Sequence, residues 1–391
     1  MILLTPVIIW NCIIKAPVLY GQALKIYFAF CLIILLGTYV ALVQRFYSIN
    51  PGTILQNNLI NLARISFCIS LSYFFAGLNK KGLLQGFKIL LQLAPWLLLM
   101  VIIYYLRNSH VSGRHSNYLV VGDIKHGEFS AVMVAFSLFA FYNVYNEKNW
   151  VKKLPNIISI LLMGYLIFQM GSKNGLLGLA LVVIFSSYYF FIKGRPLRFA
   201  AIVILLTGIF YFIINKAVNT PTMQRLLAAE TTQGININTL TTKRYGLWVA
   251  GVKAFFSPQS VIGYGSSSLA SRWITGISPD APEDNVLHNT PLEFAIQFGI
   301  PGLLLYSFLV FTVVKYFLFF WRLVKKNQLS PILLLPFLCF FSIAVSGMFL
   351  SWQWESYWWY QTALIFAIIK LFIAPEKAHK QRLNITNARL V

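Results

Sequence analysis

Apolar runs close to the length of a membrane span recur along the whole sequence. A transmembrane helix needs about 20 consecutive and mainly apolar residues, because lipid cannot satisfy backbone polar groups. Only 11% of the 391 residues are charged and 58% are hydrophobic, whereas a soluble domain carries about 25% charged residues. Too little polar surface is therefore present to cover a water-exposed globule. The sequence predicts an all-α polytopic membrane protein.

The hydropathy pattern predicts about 11 transmembrane helices, within a range of roughly 10–12. The candidate spans are 2–20, 26–43, 58–78, 84–106, 129–146, 156–170, 175–192, 199–215, 292–321, 331–350 and 358–373. Lys15 interrupts the first of them, and no basic region precedes its apolar run, so a cleaved signal peptide is not expected. Segment 291–320 is long for one crossing. The Gly299-Ile-Pro-Gly302 sequence within it predicts a short helix followed by a kinked span.

The net charge of +22 would suit nucleic-acid binding, but the placement of the charges favours membrane topology. Basic residues form short clusters on alternate connections, which is typical of cytoplasmic loops. These clusters are Lys80 and Lys81; Lys148, Lys152 and Lys153; Lys193, Arg195 and Arg198; Arg322, Lys325 and Lys326; and Lys377, Lys380, Arg382 and Arg389. We expect membrane lipids, and no nucleic acid, as partners.

The remaining connections face outward in this assignment, and they hold most of the acidic residues. Of the 10 acidic residues, only Glu147 and Glu376 fall on the cytoplasmic side. Residues 216–290 form a connection far longer than the usual 2–8 residues. We interpret 1–391 as one transmembrane domain that includes 216–290 as a large, partly helical outward loop.

Within that loop, residues 243–256 have the pattern of an amphipathic helix lying at the membrane interface. The residues at helical spacing are Tyr245, Trp248, Val252, Phe255 and Phe256. Arg244 stands at the start of this segment. A guanidinium is a fixed cation with a planar fork that suits phosphate, although such a residue also suits snorkelling to lipid headgroups.

The stretch DNVLHNTPLEF at 284–294 places His288 and Asn289 directly before an apolar helix. Thr290 followed by Glu293, with Pro291 between them, is typical of a capping box, which favours a helix-capping role for Glu293. A helix start is a natural anion site. A histidine beside it can exchange a proton near neutral pH, so we regard His288 as a functional candidate.

Lys173 stands almost alone at a tight outward hairpin between two apolar spans. A cation at that depth is costly unless it has an anionic partner, so Lys173 is a second functional candidate. The first large outward loop adds Arg114, His115 and His126. The two histidines have no metal-ligand spacing, and we expect no metal site there. The four cysteines (Cys12, Cys31, Cys68 and Cys339) all lie in apolar runs, which argues against a disulfide framework or a zinc site.

Taken in order, several short motifs resemble those of the O-antigen ligase and polymerase family of bacterial membrane glycosyltransferases. They are Gly171-Ser-Lys-Asn-Gly175, Arg244-Tyr-Gly-Leu-Trp248, Ser257-Pro258, Gly263-Tyr-Gly265, His288-Asn289, Glu293 and Phe298-Gly299-Ile300. The resemblance implies a cofactor-free, metal-independent transfer at the periplasmic face of the inner membrane. The implied donor is a glycan on undecaprenyl diphosphate, and the implied acceptor is another glycan or the lipid A core.

The family's ligases use a basic residue in the hairpin, an arginine in the large loop and a histidine before a late span. By resemblance these roles fall on Lys173, Arg244 and His288, with Asn289, Trp248, Glu293 and Arg114 as further substrate-binding candidates. Ligases usually have arginine in the hairpin, so Lys173 favours a polymerase over a ligase. A protein acceptor, as in an oligosaccharyltransferase, also stays open.

The alternative of a different class is a flippase for the same lipid-linked glycan. Transporters of this kind tend to place ionisable groups at mid-membrane on a path through the bundle. The basic candidates within spans here are Arg64, Lys88, Lys315 and Lys370, and no repeat of the two halves is evident. A purely structural protein would not explain the polar residues on the outward side.

Overall fold

A computed structural model of the chain describes residues 21–43, 51–111, 119–121, 126–169, 173–192, 230–231, 234–235, 244–265, 287–348 and 358–373. Within these ranges the regular structure is almost entirely helical. The helices are α1 (Gly21–Val43), α2 (Pro51–Gly77), α3 (Lys80–Asn108), α4 (His126–Asn146), α5 (Trp150–Gln169), α6 (Lys173–Ile192), α7 (Arg244–Phe255), α8 (Thr290–Lys325), α9 (Leu335–Ser346) and α10 (Trp358–Ile373).

Two short antiparallel hairpins and two 3-10 turns complete the regular structure of the described residues. The hairpins are β1 (Ser109–Val111) with β2 (Leu119–Val121), and β3 (Glu230–Thr231) with β4 (Gly234–Ile235). The 3-10 turns are Pro258–Val261 and Pro331–Leu334. In the second hairpin Glu230 pairs with Ile235 and Thr231 pairs with Gly234.

Five of the described helices are long and apolar enough to cross a membrane. They are Ala23–Val43, Ile54–Gly77, Lys80–Met100, Trp150–Ile167 and Thr290–Lys325. This finding agrees with the predicted helical membrane protein. Predicted spans 2–20 and 199–215 lie outside the described residues, so the count of about 11 spans stays a prediction.

The chain divides into two compact units. Unit 1 comprises Met1–Phe87, Ala250–Phe337 and Ser351–Val391, and unit 2 comprises Lys88–Val249 and Leu338–Leu350. In unit 2, α4 packs against both α5 and α6. In unit 1, α1 packs against α2 and α8. Each unit therefore has a helical core of its own.

A proline inside α3 determines how unit 2 is held together. Pro95 has no N–H, so the carbonyl of Leu91 has no donor four residues along its own helix. Asn143 of α4 supplies the missing donor, because its Nδ2 donates to the Leu91 carbonyl. The same amide nitrogen also donates to Oδ1 of Asn156 in α5, at 3.1 Å. One asparagine thereby links three helices.

A second polar contact reinforces the same junction. The hydroxyl of Ser159, a fully buried residue of α5, donates to the carbonyl of Pro95 at 3.1 Å and to that of Pro155 at 2.6 Å. Hydrogen bonds between helices inside a membrane contribute about 0.6 kcal/mol each on average. Their main effect is therefore to set which helix faces meet.

Unit 1 is built around α1. The hydroxyls of Tyr27 in α1 and Ser72 in α2 are 2.9 Å apart and share a buried hydrogen bond. Farther along α1, the ring of Phe30 meets the edges of Phe294 in α8 and Trp359 in α10, with centroids 5.7 and 4.9 Å away. Edge-to-face aromatic pairs contribute about 0.5–1.5 kcal/mol each beyond their buried area. These contacts fix the start of α8 within unit 1.

We predict that Asn143→Leu lowers the free energy of unfolding by about 1–3 kcal/mol, because the substitution leaves the Leu91 carbonyl buried without its donor. Thermal unfolding of the detergent-solubilised protein measures the effect. Asn146→Leu is the matched control on the same helix, since Asn146 is exposed and donates to the Tyr142 carbonyl of its own helix. Equal destabilisation by both substitutions would contradict this account of the Pro95 junction.

Candidate active site

Helix α8 contains a sharp bend at Gly299, as the Gly-Ile-Pro-Gly sequence predicts. Gly299 has φ 65° and ψ −155°, a conformation that is essentially restricted to glycine. In an uninterrupted helix, positions 294 and 306 would lie about 18 Å apart along the axis. The rings of Phe294 and Tyr306 are instead only 5.4 Å apart between centroids. The chain therefore folds back on itself, and residues 290–298 form a separate short helix.

The bend frees backbone carbonyls, and a loop segment uses them. Pro301 has no N–H to donate to the carbonyl of Gln297 four residues earlier. The N–H of Gly265 donates to that carbonyl at 3.0 Å, and the N–H of Tyr264 donates to the Ile296 carbonyl at 2.8 Å. The Gly263-Tyr-Gly265 and Phe298-Gly299-Ile300 motifs, far apart in sequence, thus form one structural feature.

Two glycines make this close approach possible. Gly263 has φ 80°, and a Cβ at this position would lie 2.5 Å from the backbone nitrogen of Gly299. A Cβ on Gly299 would in turn collide with the carbonyl oxygen of Ser260. We call residues 263–265 and their contacts with the Gly299 bend the glycine clamp. A side chain at either glycine would force the two backbones apart.

Tyr264 joins the glycine clamp to the end of α7. Its side chain is 1% exposed, and its hydroxyl shares a hydrogen bond of 2.6 Å with the hydroxyl of Ser257. The same hydroxyl donates to the carbonyl of Ala254 in the last turn of α7, at 3.2 Å. The Ser257-Pro258 motif therefore serves to end one helix and to direct the chain toward the bend in α8.

The first turn of α8 is capped by Asn289, one residue earlier than the sequence pattern suggests. Asn289 has extended backbone angles (φ −150°, ψ 102°), and its side chain accepts a hydrogen bond from the N–H of Leu292 at 3.0 Å. The predicted cap, Thr290, is instead the first helical residue and is fully buried. Asparagine is a stronger N-cap residue than threonine.

Glu293 closes the turn that precedes the helix. The residue is 1% exposed, and its Oε1 accepts from the N–H of Leu287 at 2.9 Å. Its Oε2 accepts from Nε2 of Gln297 at 2.7 Å. A carboxylate also gains from the partial positive charge at a helix start. These contacts support the structural interpretation of Glu293, although the hydrogen bond reaches Leu287 and not the predicted cap.

His288 occupies the centre of this turn in a left-handed conformation. Its φ is 50°, which is uncommon for any residue except glycine and persists only where the surroundings hold it. On one side Leu287 is 1% exposed and packs against Gly251 of α7. A Cβ added to Gly251 would lie only 3.1 Å from Cδ2 of Leu287. On the other side Asn289 is the helix cap. The half-buried His288 is thus held between two anchored neighbours.

Helix α7 spans Arg244–Phe255, which confirms the helix predicted over 243–256. Its buried side consists of Leu247, Ala250 and Ala254. The residues used to predict an interfacial face lie mostly elsewhere on the helix: Tyr245 and Val252 are exposed, and Trp248 is half-buried. The helix therefore has one apolar side within the protein and a second one outside it. Its placement at the membrane interface stays a prediction.

The two candidate cations both stand at helix starts. Lys173 is the first residue of α6, and Arg244 is the first residue of α7. A cation at a helix N-terminus is disfavoured by the helix dipole, whereas an anion bound there is favoured. Both positions belong to unit 2, and His288 belongs to unit 1, so the convergence of the three residues stays a prediction. Arg114 lies outside the described residues.

The described residues contain no group of three or more histidine, cysteine, aspartate or glutamate side chains that could hold a metal ion. The chemistry available at the turn is that of an imidazole beside a helix start. An imidazole can take a proton, and the partial positive charge of a helix start favours an anion.

Residues 158–307 match the family model described as O-antigen ligase. Over this region the chain is similar to the O-antigen ligase family. The match runs from α5 through the first turns after the bend in α8, and so includes Lys173, Arg244, the glycine clamp and His288. It confirms the resemblance inferred from the short motifs, and it supports a membrane enzyme of the O-antigen ligase and polymerase type. No curated protein matches the sequence.

Two features of the O-antigen ligase region were not foreseen from its sequence. One is the pairing of residues 263–265 with the bend. The local sign of it is Pro301, which cannot donate to the carbonyl of Gln297 four residues earlier and so leaves that carbonyl for another donor. The other is the bond between Glu293 and Leu287, which spans the turn around His288. The first contact could not be chosen from spacing alone, because it depends on how sharply the chain folds back at Gly299.

We predict that Gly299→Ala lowers the free energy of unfolding of the protein by more than about 1–3 kcal/mol, the usual cost of such backbone strain alone. The added Cβ also collides with Ser260. Thermal unfolding and the yield of folded protein measure the loss. Gly86→Ala in α3 is the control, because nothing lies within 4 Å of its Cβ. That substitution should stabilise by about 0.5–1 kcal/mol, and a loss comparable to Gly299→Ala would contradict the glycine clamp.

Proposed function

We propose that this protein is a glycosyltransferase that moves a glycan from undecaprenyl diphosphate onto a sugar hydroxyl at the periplasmic face of the inner membrane. The observation that carries the proposal is the strained turn at His288, held by Leu287, Asn289 and Glu293 directly before a helix start. Backbone strain that neighbouring contacts maintain is typical of functional sites. The family match supports the same class of reaction.

His288 acts as the general base in this proposal. The acceptor hydroxyl attacks the anomeric carbon of the donor sugar, and the imidazole takes the hydroxyl proton. The sugar–phosphate bond breaks, and the diphosphate leaves with the bonding electron pair. A positioned base of this kind contributes roughly 10²–10⁴-fold to the rate. The turn suits a general base, because the backbone conformation at His288, with its positive φ, fixes the position of the Cα–Cβ bond that carries the imidazole.

Arg244, Lys173 and the start of α8 stabilise the leaving diphosphate. Negative charge grows on the phosphate oxygens as the bond breaks, and fixed cations or helix N–H groups placed there lower the barrier. This role explains why both cations stand at helix starts. The helix dipole stabilises an anion bound there, whereas it disfavours a cation without an anionic partner. No metal ion is required, because these groups supply the positive charge.

The other candidate residues serve the substrate in two ways. Asn289 and Glu293 keep the turn in place, and so position His288 against the acceptor. Trp248 is half-buried on α7 and offers a ring for a sugar to stack on, while Arg114 in the first outward loop binds the glycan. We place the acceptor side in the large loop over 216–290, within a single transmembrane domain over 1–391.

We favour a polymerase over a ligase, because Lys173 replaces the hairpin arginine typical of ligases. A polymerase joins one lipid-linked glycan to another, and a ligase joins the glycan to the lipid A core. The surface glycan of a deletion strain separates them: chains of a single repeat indicate a lost polymerase, and a bare core indicates a lost ligase.

A purified-protein assay tests the reaction class itself. The protein is incubated with lipid-linked glycan and acceptor in liposomes, and the products are separated by mass. New glycosidic bonds are the expected result. Movement of the lipid-linked glycan across the bilayer without new bonds would show a flippase and overturn the proposal.

We predict that His288→Ala reduces transfer by at least about 100-fold at normal protein levels, because the acceptor hydroxyl loses its base. The purified-protein assay measures the rate. His126→Ala is the control, since His126 opens α4 in the first outward loop and has no assigned role. Wild-type transfer by the His288→Ala protein would show that another residue is the base.

We predict that Arg244→Lys impairs transfer more than Lys173→Arg. A lysine cannot reproduce the bidentate fork that an arginine offers to phosphate, whereas an arginine at 173 keeps the charge and adds a fork. The expected difference is about tenfold in kcat/KM, or about 1.4 kcal/mol. The opposite order would show that the hairpin residue, and not Arg244, grips the diphosphate.

A further inference from the structure

Basic residues within the described apolar helices include Lys25, Lys88, Lys315 and Lys370, and Arg64 in α2 differs from them. Lys25, near the start of α1, is exposed. Lys88 and Lys315 are exposed, so their long side chains can extend along the protein surface to the membrane boundary. Lys370 lies one turn before the end of α10, close to the cytoplasmic tail. Arg64 is half-buried, stands halfway along α2, and donates from its guanidinium to Oδ1 of Asn61 at 3.4 Å.

Arg64 ends a strip of polar side chains on one side of α2. Asn58 is 3% exposed and Asn61 is 7% exposed, and the three residues follow at intervals of three, which places them on neighbouring turns of one helix face. Beyond Arg64 the next buried positions on the helix are Ile65 and Cys68. Because Asn61 precedes Arg64, the guanidinium turns toward the Pro51 end of the helix.

The Pro51 end of α2 is the outward end, because the other end leads to the cytoplasmic Lys80 and Lys81. The antiparallel pairing of α1 and α2 relates this end to the glycine clamp. Tyr27 of α1 and Ser72 of α2 are in contact. Ala41 lies 14 residues after Tyr27 on α1, and Asn58 lies 14 residues before Ser72 on α2, and both directions lead outward. Both are therefore about 21 Å beyond that contact, at one level.

Ala41 marks the level of the glycine clamp. A Cβ on Gly265 would lie 2.7 Å from the Cβ of Ala41, so the clamp rests directly on the outward end of α1. The polar strip therefore begins at the same level of unit 1 as the bend in α8 and descends from it along α2. All of these residues belong to unit 1, together with His288.

We propose that Arg64, Asn61 and Asn58 form a binding site for the diphosphate headgroup of a polyprenyl-linked donor. This inference rests on the proposed function and adds a third cation to it. A guanidinium and carboxamide N–H groups are the donors that phosphate oxygens accept from most readily. An ionisable group kept inside a membrane helix indicates a functional site, because its burial is otherwise costly.

The surroundings of the strip favour a lipid-linked diphosphate over a free one. Next to the buried asparagines, α2 presents Leu55, Leu59 and Ile60 as exposed side chains. A lipid-linked diphosphate matches both features of α2. Its diphosphate would contact the polar strip, and its polyprenyl chain would contact the exposed apolar side chains. A free diphosphate would use only the polar part.

Binding to the purified protein in lipid nanodiscs tests the site. Undecaprenyl diphosphate and inorganic diphosphate are titrated separately into the wild-type protein, Arg64→Gln, Arg64→Lys and the control Lys315→Gln, with microscale thermophoresis as the readout. We expect a rise in Kd for the lipid of about tenfold or more in Arg64→Gln and a smaller rise in Arg64→Lys, because one charge-assisted fork is lost or weakened. Lys315→Gln should bind like the wild type, and inorganic diphosphate should bind at least tenfold more weakly throughout.

The two ideas fail in different ways. Equal lipid affinity in Arg64→Gln and wild type, or no lipid binding by any variant, overturns the site. Inorganic diphosphate binding as tightly as the lipid, with the same dependence on Arg64, overturns the lipid-linked ligand. Arg64-dependent lipid binding by a protein that forms no glycosidic bonds supports the site and overturns the proposed transfer reaction. Because Arg64→Lys keeps the charge, it provides the comparison if Arg64→Gln does not fold.

Discussion

The site in unit 1 depends on two carbonyls that α8 cannot use itself. Pro301 removes the donor for Gln297, and the bend at Gly299 removes the geometry that Ile296 would need. Buried backbone carbonyls are nearly always paired, and here the N–H groups of Gly265 and Tyr264 donate to them. These hydrogen bonds tie residues 264 and 265 of the large loop to the short helix 290–298.

The turn around His288 follows from that arrangement. Once the short helix is held, Asn289 can cap it and Glu293 can reach back to Leu287. The chain between these contacts is left with a conformation that histidine rarely adopts. The imidazole therefore stands on a rigid support, which a proton-transfer group needs if it is to meet a hydroxyl at hydrogen-bond distance.

The polar residues within the apolar helices divide into two kinds. In unit 2, Asn143 and Ser159 serve the fold, because they supply donors near Pro95 and join neighbouring helices. In unit 1, Tyr27 and Ser72 join α1 to α2 without a proline nearby. Asn58, Asn61 and Arg64 lie on one face of α2, where we propose that the donor headgroup binds.

The sequence by itself determined the helical membrane class, the bounds of α7 to within one residue, the break at Gly299 and the resemblance to the O-antigen ligase family over 158–307. Each of these depends on local composition or spacing, which a chain carries whatever its neighbours are. Only the tertiary structure decided that residues 263–265 fill the bend and that the outer sides of α7 and α2 remain exposed. The first outcome depends on which distant backbone groups are left needing partners, and the second on which helix faces meet, and spacing along the chain records neither.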